Sequence, residues 1–316
     1  REGERWEWVA DSYPAGAVSL RSVADGNFVV VDRTNGKQSI IAEVDYSAAA
    51  VTLYEGAIHM IQAVPYQVER LDWEGRKAYV TRTHVDYYTD AIDYTKLKVL
   101  DCFASTAAGC GQAAHGEVHV VRRVAGYKKI RYYSHENIGY GPVNLPDQEL
   151  HTTAVWWQLP QSALDAAFAD RQQALDGFLG AACALHLVAT VAVMAEQRDL
   201  QKSVGSGDGA WFASADQRGR GQLRSGGDGQ ATTLAMDAPF TPTVYLYDAF
   251  PGGVGLSAPL YARGAELLAH ALSLVEHCDC RSGCPACVGP ILAADEDAQR
   301  TPKALATRVL AMLIGP

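Results

Sequence analysis

Four cysteines lie within a ten-residue segment, Cys278-Asp-Cys280-Arg-Ser-Gly-Cys284-Pro-Ala-Cys287. Zinc in structural sites is bound by four thiolate or imidazole ligands in a tetrahedron. The last two cysteines have the two-residue spacing of a zinc knuckle, and Gly283 allows the tight turn before them. The first two are closer together and can reach the same ion if the backbone curls. The spacing therefore predicts one structural zinc ion bound by Cys278, Cys280, Cys284 and Cys287.

Three other uses of these cysteines remain open: two disulfides, an iron–sulfur cluster or a redox dithiol. Disulfides conflict with the reducing, cytoplasmic compartment that we expect, because a secreted protein more often spreads its cysteines along the chain. An iron–sulfur cluster also takes four thiolates, and spacing alone does not exclude it. A closed set of four ligands leaves no open position on the metal, so we expect no catalysis there. Cys102, Cys110 and Cys183 are not expected to take part.

A basic run interleaved with tyrosines is a candidate surface for single-stranded DNA. Positive charges pair with phosphates and aromatic rings stack on bases, although any β-hairpin also has a solvated polar face. A glycine-rich segment further along the chain carries a second group of arginines, which includes Arg224. The predicted contacts are Arg122, Arg123, Tyr127, Lys128, Lys129 and Arg131 in the run, with Arg218 and Arg220 in the glycine-rich segment.

The segment Pro251-Gly-Gly-Val-Gly255 lies between a predicted strand and a predicted helix. Such a loop can bind phosphate through its backbone N–H groups and the helix N-terminus. The alternative is a tight turn that requires positive φ, and we favour it because the loop contains no Lys or Arg. Asp248, just before the loop, is then expected to cap the turn.

The elements around these residues predict an α+β fold. Residues 1–145 are expected to form an antiparallel β-barrel-like or curled-sheet part, since short β-type runs recur about every ten residues with turn signals between them. Residues 105–116 are expected to form a loop. The predicted strands are Val18–Val23, Asn27–Asp32, Ser39–Val44, Ala57–Gln62, Pro65–Asp72, Lys77–Thr83, Glu117–Ala125 and Tyr127–Tyr133.

Residues 146–316 are expected to form a mainly helical, zinc-binding part. A strand at Thr152–Gln158 comes first, and Ser162 then caps a long helix over Ala163–Leu200. Residues 203–233 are predicted to be a mobile loop because they are rich in Gly, Ser and Arg. Thr243–Asp248 is predicted to be a buried strand.

The end of the chain is predicted to contain two more helices. Ser257 is expected to cap the first, which leads into the cysteine cluster and presents one apolar face toward it. Thr301 and Pro302 are expected to begin the second, which ends near Ile314.

The stretch 177–195 has no formal charge and approaches the length that spans a bilayer. We expect a buried central helix there, because charged residues crowd its ends and it contains glycines and His186, which we predict to be a core histidine. No membrane partner is therefore expected. No secretory signal is apparent at the start of the sequence, which begins with Arg1.

The composition predicts a folded globular protein, with 48% hydrophobic and 20% charged residues among 316. The formal net charge is −9, which excludes a protein that binds nucleic acid with its whole surface. Any DNA contact must come from a local patch.

The segment Tyr247-Asp-Ala-Phe-Pro-Gly-Gly-Val-Gly-Leu256, a helix and the four cysteines follow one another in a way that resembles the MrfA/Hrq-type superfamily II DNA helicases. Val85-Asp-Tyr-Tyr-Thr89, Val124-Ala-Gly-Tyr-Lys-Lys129 and the apolar helix around His186 extend the similarity over residues 45–315. The chain resembles the C-terminal accessory module of these proteins, which carries their tetracysteine zinc domain.

This resemblance implies a parent protein that is an ATP-driven 3′-to-5′ DNA helicase with a role in DNA repair. The sequence contains no G-x-x-x-x-G-K-[ST] phosphate loop, so we expect no ATPase activity from this chain itself. Its expected partners are single-stranded DNA and the motor domains of the same polypeptide. Its expected role is to guide the DNA and to support the motor. The alternative is a protein–protein adaptor whose zinc is purely structural. A stand-alone metal-dependent hydrolase is disfavoured, because the ligand set is closed.

Overall fold

The computed structural model of the chain describes residues 26–215, 221–227, 229–234, 238–289 and 301–315. The chain forms two units. Unit 1 consists of the residues up to Asp93 together with Val124–Pro146, and unit 2 consists of Tyr94–Arg123 together with the residues from Asp147 onward. The predicted strand at Val18–Val23 lies outside the described residues.

Unit 1 contains a sheet of five short strands in the order β2-β1-β5-β4-β3. The pairs are antiparallel except β1 with β5, which is parallel. Alternate side chains of β1, such as Phe28 and Val30, are fully buried, as expected for a half-buried strand. The elements are β1 (Asn27–Asp32), β2 (Ser39–Asp45), α1 (Tyr46–Thr52), β3 (Ile58–Ile61), β4 (Val64–Asp72) and β5 (Lys77–Arg82).

Two long strands, β6 (Tyr87–Ala108) and β7 (Gly111–Arg131), contribute to both units. In unit 1, the end of β7 pairs with β8 (Asn137–Pro142) in an antiparallel hairpin. Tyr127 of β7 is buried in the core of unit 1, where its ring stacks on Tyr54 with 5.0 Å between centroids.

Unit 2 is built on a sheet in the order β12-β11-β10-β13-β9-β7-β6. Every residue of β13 is buried, because strands lie on both sides of it and helix α3 packs against it. The further strands are β9 (Gln148–Gln158), β10 (Leu200–Gly205), β11 (Trp211–Ala215), β12 (Gly221–Ser225) and β13 (Thr243–Asp248), and the helices are α2 (Gln161–Ala167), α3 (Arg171–Ala192), α4 (Ser257–Ala262), α5 (Gly264–Glu276) and α6 (Pro302–Ile314).

Helix α3 is the central helix of unit 2. It is long and apolar enough to cross a membrane, but 67% of its most apolar window is buried inside the protein. A Cβ atom added at Gly180 would lie 2.9 Å from Ala306 Cβ, so glycine lets α6 approach α3 closely. His186 Nε2 lies 2.7 Å from the Leu200 carbonyl oxygen, which confirms the prediction of a satisfied core histidine.

The α+β class is confirmed, but several predicted elements were wrong in detail. Residues 105–116 are the ends of β6 and β7, joined by Gly109 and Cys110, because long paired strands override the local loop signals of small residues. The two strands predicted over 117–133 form one strand for the same reason. The segment 203–233, predicted as a loop, contains β11 and β12; its mobility stays a prediction.

The predicted helix boundaries also needed correction. The long helix is interrupted before Asp170, whose side chain accepts a hydrogen bond from Gln173 N and starts α3. The helix after the glycine-rich turn is divided at Arg263 into α4 and α5. Neither Ser162 nor Ser257 is a cap, since each lies inside the first turn of its helix. The start of α6 after the cap Thr301 is confirmed.

Asp248 organises the glycine-rich turn between β13 and α4. Its Oδ2 atom accepts hydrogen bonds from the backbone N–H groups of Val254, Gly255 and Leu256 at 2.7, 3.0 and 3.1 Å. Gly253 has a φ of 76°, which favours glycine. The prediction that Asp248 caps this turn is confirmed. Burial raises the pKa of Asp248, and the three N–H donors act in the opposite direction.

We expect Asp248→Ala to lower the free energy of unfolding by about 3 kcal/mol, because three N–H groups lose a shared buried acceptor. Urea denaturation of the whole chain measures this change. Asp45→Ala is the control, since Asp45 is exposed and its side chain caps no N–H group. Equal stabilities for the two variants would contradict the assignment.

Candidate metal centre

The cysteine cluster connects two helices of unit 2. Helix α5 ends at Glu276, and Cys278 follows its cap His277. Helix α6 begins at Pro302, after Thr301, whose side chain accepts a hydrogen bond from Ala304 N. The segment with the four cysteines therefore begins at the carboxyl end of α5.

The four Sγ atoms all lie within 4.8 Å of one another. The Cys278–Cys284, Cys280–Cys287 and Cys284–Cys287 sulfur distances are 3.6, 3.5 and 3.7 Å. A tetrahedral zinc site with Zn–S bonds of about 2.3 Å has sulfur–sulfur edges of about 3.8 Å. The same distances are far longer than a disulfide bond of about 2.05 Å. The donor set therefore fits one four-coordinate metal ion.

The second pair of cysteines forms the predicted knuckle. Gly283 has a φ of 121°, and the chain then turns so that Cys287 N donates to Cys284 O at 3.0 Å. Within this turn, Cys284 N also donates to Cys287 Sγ at 3.3 Å. Such N–H donation to sulfur stabilises a thiolate, the form in which cysteine binds a metal.

Lys303 on α6 binds the backbone of the segment that contains Cys278 and Cys280. Its Nζ atom donates to the carbonyl oxygens of Cys278 at 2.6 Å and Cys280 at 3.1 Å. Its backbone N–H donates to Ser282 O at 3.0 Å. One residue thus joins the ligand segment to α6 and places a positive charge beside a site that would carry excess negative charge with four thiolates bound.

The cluster is continuous with the main core of unit 2. Cys287 is fully buried, and the other three cysteines pack partly buried against the same core. Gly289, just after the knuckle, has a φ of 92°, and a Cβ atom there would lie 2.6 Å from Cys183 Sγ on α3. The cysteine segment therefore packs against α3 as well.

The cysteines differ in their electrostatic surroundings. A backbone hydrogen bond from Cys280 and contacts with the neighbouring thiols lower the pKa of Cys278 to about 7. Burial raises the pKa of Cys287 to about 12 and also raises that of Cys280. A cation that binds all four as thiolates offsets this cost.

The predicted DNA contacts are divided between the two units. Arg122 and Arg123 lie in unit 2, where Arg123 forms a bidentate pair with Asp147 at 2.7 Å for each bond. In unit 1, Arg131 pairs with Asp86 at 3.4 Å and with Glu136 at 3.2 Å. These two arginines have carboxylate partners that compete with phosphate.

Lys128 and Lys129 are half-buried neighbours on β7, and the Lys129 Nζ atom lies 5.4 Å from the centre of the Tyr87 ring. Tyr127 was also predicted to contact DNA, but the structure places it in the core of unit 1, where the residue is only 8% exposed and its ring stacks on Tyr54. DNA contact by the cationic residues stays a prediction.

In the glycine-rich segment, Arg218 and Arg220 lie outside the described residues. Arg224 lies over the Tyr94 ring at 4.0 Å and donates to Ser214 Oγ at 2.7 Å and to Gly229 O at 3.0 Å. Its guanidinium is thus engaged within unit 2.

The loop at 251–255 does not present free N–H groups to phosphate. Gly252 N donates to His151 O and Gly253 N to Phe250 O, while the next three donors bind the Asp248 carboxyl group. A bound phosphate would also face that carboxyl group. The geometry favours the tight-turn alternative.

Two residues of interest were not identified from the sequence. Lys303 gives no local signal, because only the fold brings α6 next to the cysteines. Tyr140 on β8 is 52% exposed and lies directly opposite Lys128 in the β7–β8 register. An exposed aromatic one strand away from a basic run is recognisable only when the strands are paired.

Comparison with known proteins places this site in a described domain. Residues 181–288 match the family described as "MrfA Zn-binding domain". This match begins within α3 and includes all four cysteines.

Along most of its length, the chain is similar to part of larger helicases. It is 34% identical over 290 residues to the "Uncharacterized ATP-dependent helicase YprA" of Bacillus subtilis, which covers 92% of this chain and 35% of that protein. It is 24% identical over 280 residues to the "ATP-dependent helicase HRQ1" of Saccharomyces cerevisiae, covering 87% of this chain and 24% of that protein. The chain thus spans about a third or less of these relatives.

A solved structure described as the DUF1998 helicase MrfA bound to DNA matches with a TM-score of 0.57 and 32% identity, over 96% of this chain and 37% of that one. The resemblance inferred from the sequence motifs is therefore confirmed. The chain carries an MrfA Zn-binding domain, and its homologues are ATP-dependent helicases of the YprA and Hrq1 type.

Proposed function

We propose that this chain is a zinc-stabilised accessory module of an ATP-dependent DNA helicase. The observation that carries the proposal is the similarity to YprA over 92% of this chain, against only 35% of the relative. The similarity thus extends well beyond the zinc-binding domain. The relatives are described as ATP-dependent helicases, and we propose the same activity for the parent protein of this chain. We also propose that the parent has 3′-to-5′ polarity and a role in DNA repair.

In this proposal, the metal stabilises shape and performs no chemistry. Four sulfur ligands complete a tetrahedral site and leave no position for water or substrate. The ligand segment is tied to α5 by the chain, to α6 by Lys303, and to α3 by the contact between Gly289 and Cys183. Zinc thereby supports the helical face of unit 2, and the chain supports the motor domains of its polypeptide without hydrolysing ATP itself.

DNA guidance is the second part of the proposal. A net charge of −9 makes a local contact necessary. Within the basic run, Lys128 and Lys129 are the proposed contacts, because Arg123 and Arg131 are bound directly to carboxylates. Lys128 also interacts electrostatically with the carboxyl group of Asp90, which would compete with phosphate. We propose single-stranded DNA as the ligand. We propose the cytoplasm as the compartment, since none of the seven cysteines is in a disulfide.

Metal removal should loosen the helices and not only the cysteine segment. We expect one zinc ion per chain by elemental analysis. After chelation, we expect amide exchange protection in α5 and α6 to fall by about 100-fold, because zinc binding contributes folding free energy. The strands β4 and β5 of unit 1 are the internal control and should keep their protection. A metal-free protein with unchanged protection would contradict the structural role.

We expect Lys303→Met to weaken zinc affinity by about 10-fold, as is typical when a group that positions metal ligands is lost. Competition with a chromophoric chelator measures this change. Lys77→Met is the matched control, since Lys77 is exposed on β5 in the other unit. If both variants bind zinc like the unaltered chain, Lys303 does not position the ligands.

The DNA contact predicts salt-sensitive binding of a single-stranded oligonucleotide to the whole chain. We expect the double variant Lys128→Glu and Lys129→Glu to lower the affinity by about 10-fold or more and to reduce the salt dependence. Lys37→Glu with Lys77→Glu makes the same charge change at exposed sites of unit 1 and should have a smaller effect. Fluorescence anisotropy at two salt concentrations is the measurement. No salt-sensitive affinity of the unaltered chain would favour a protein–protein adaptor instead.

A further inference from the structure

The tip of the β7–β8 hairpin presents one aromatic ring to solvent. Ile130 pairs with Asn137 at the end of the hairpin, and residues 131–136 form the tip. Tyr133 within this tip is 99% exposed. Its neighbour Tyr132 is half-buried, with its ring 5.6 Å from that of Tyr88. Of these two tyrosines, Tyr133 is therefore the one that buries almost none of its surface in the fold.

The backbone at Tyr133 is in the left-handed region, with a φ of 67°. This conformation is unfavourable for a bulky residue and would be easier for Gly or Asn. The fold keeps a tyrosine where its ring gains no packing and its backbone is strained. An outlier of this kind supports a functional hypothesis.

The tip is held in one conformation by a set of short hydrogen bonds. Arg131 N donates to Glu136 O at 2.9 Å, and His135 N donates to Arg131 O at 3.1 Å. Tyr132 N donates to Asp86 O at 2.9 Å. The Arg131 side chain also bridges Asp86 and Glu136. The ring is therefore presented from a supported backbone.

The surroundings of Tyr133 fit a nucleobase better than a protein pocket. The ring is not part of an apolar patch, because Ser134, His135 and Glu136 beside it are exposed and polar. Further along the same hairpin, the exposed Tyr140 lies opposite Lys128. Single-strand binding surfaces combine isolated aromatic rings, which stack on bases, with cations that pair with phosphates.

We propose that Tyr133 stacks on an unpaired base of single-stranded DNA whose backbone follows the hairpin past Lys128 and Tyr140. At about 3.3 Å per residue, the strand between Lys128 and the tip is long enough for two or three nucleotides. This proposal rests on the proposed function, since it names the contact by which the chain would guide DNA.

The test compares Tyr133→Gly and Tyr133→Phe in the whole zinc-loaded chain. The probe is an oligothymidine of about 15 nucleotides that contains one 2-aminopurine, whose fluorescence reports stacking. We expect Tyr133→Gly to lower the affinity by about 10-fold and to abolish the fluorescence change, with a melting temperature that is unchanged or higher. We expect Tyr133→Phe to bind within twofold of the unaltered chain, because it keeps the ring.

Met194 offers a matched control. It is 94% exposed with a φ of 53°, but it lies in unit 2 and has no ring. Met194→Gly should therefore leave DNA affinity unchanged. A loss of affinity in Tyr133→Gly that is accompanied by a lower melting temperature would indicate a structural role and overturn the inference.

Other outcomes separate this inference from the proposed function. If Tyr133→Gly binds like the unaltered chain while the Lys128 and Lys129 double variant does not, the stacking contact is absent and the DNA-binding module remains. If the unaltered chain shows no affinity for the oligonucleotide, the stacking contact and the DNA-guidance part of the proposed function both fail.

Discussion

Four sulfur atoms within 4.8 Å of one another are the constraint on which the end of unit 2 depends. Thiolates at such separations repel one another, and burial opposes ionisation of Cys287 in particular. A bound divalent cation reverses both effects, because it stabilises the ionised form of every ligand. The rest of the arrangement follows from this requirement. Helix α5 must end where Cys278 begins the ligand segment, and α6 must lie close enough for Lys303 to bind two of its carbonyl oxygens.

A second polar centre organises the turn that precedes α4. Asp248 lies at the end of the fully buried strand β13 and binds three N–H groups of the turn that follows. The turn and the two helices that precede the cysteines therefore lie between two polar centres, the carboxyl group of Asp248 at the start and the four cysteines at the end. Between them, apolar residues such as Leu267 and Ala271 pack into the same core as Cys287. Metal binding and core packing in unit 2 are thus coupled.

In the β7–β8 hairpin of unit 1, some tyrosine rings are buried in the core and others are exposed to solvent. Tyr127 is turned inward and stacked, while Tyr133 and Tyr140 are turned outward, although all three occur within one short basic and aromatic stretch. Strand alternation and the hairpin turn decide which rings reach solvent. The side chains of neighbouring strand residues such as Lys128 and Lys129 follow the same alternation.

By itself, the sequence determined the ligand set of the metal centre, the α+β class, the buried strand before the glycine-rich turn and the role of Asp248 in it. These features depend on local spacing: cysteines a few residues apart, and a carboxylate just before its own N–H partners. Only the tertiary structure decided that residues 105–116 and the segment with β11 and β12 join a sheet, since strand pairing outweighed their loop-like composition. It also decided that Lys303 reaches the cysteine segment and that Tyr127 is buried while Tyr140 faces outward beside Lys128. Contacts of this kind join residues that are distant in sequence, and their energies depend on which helices and strands become neighbours.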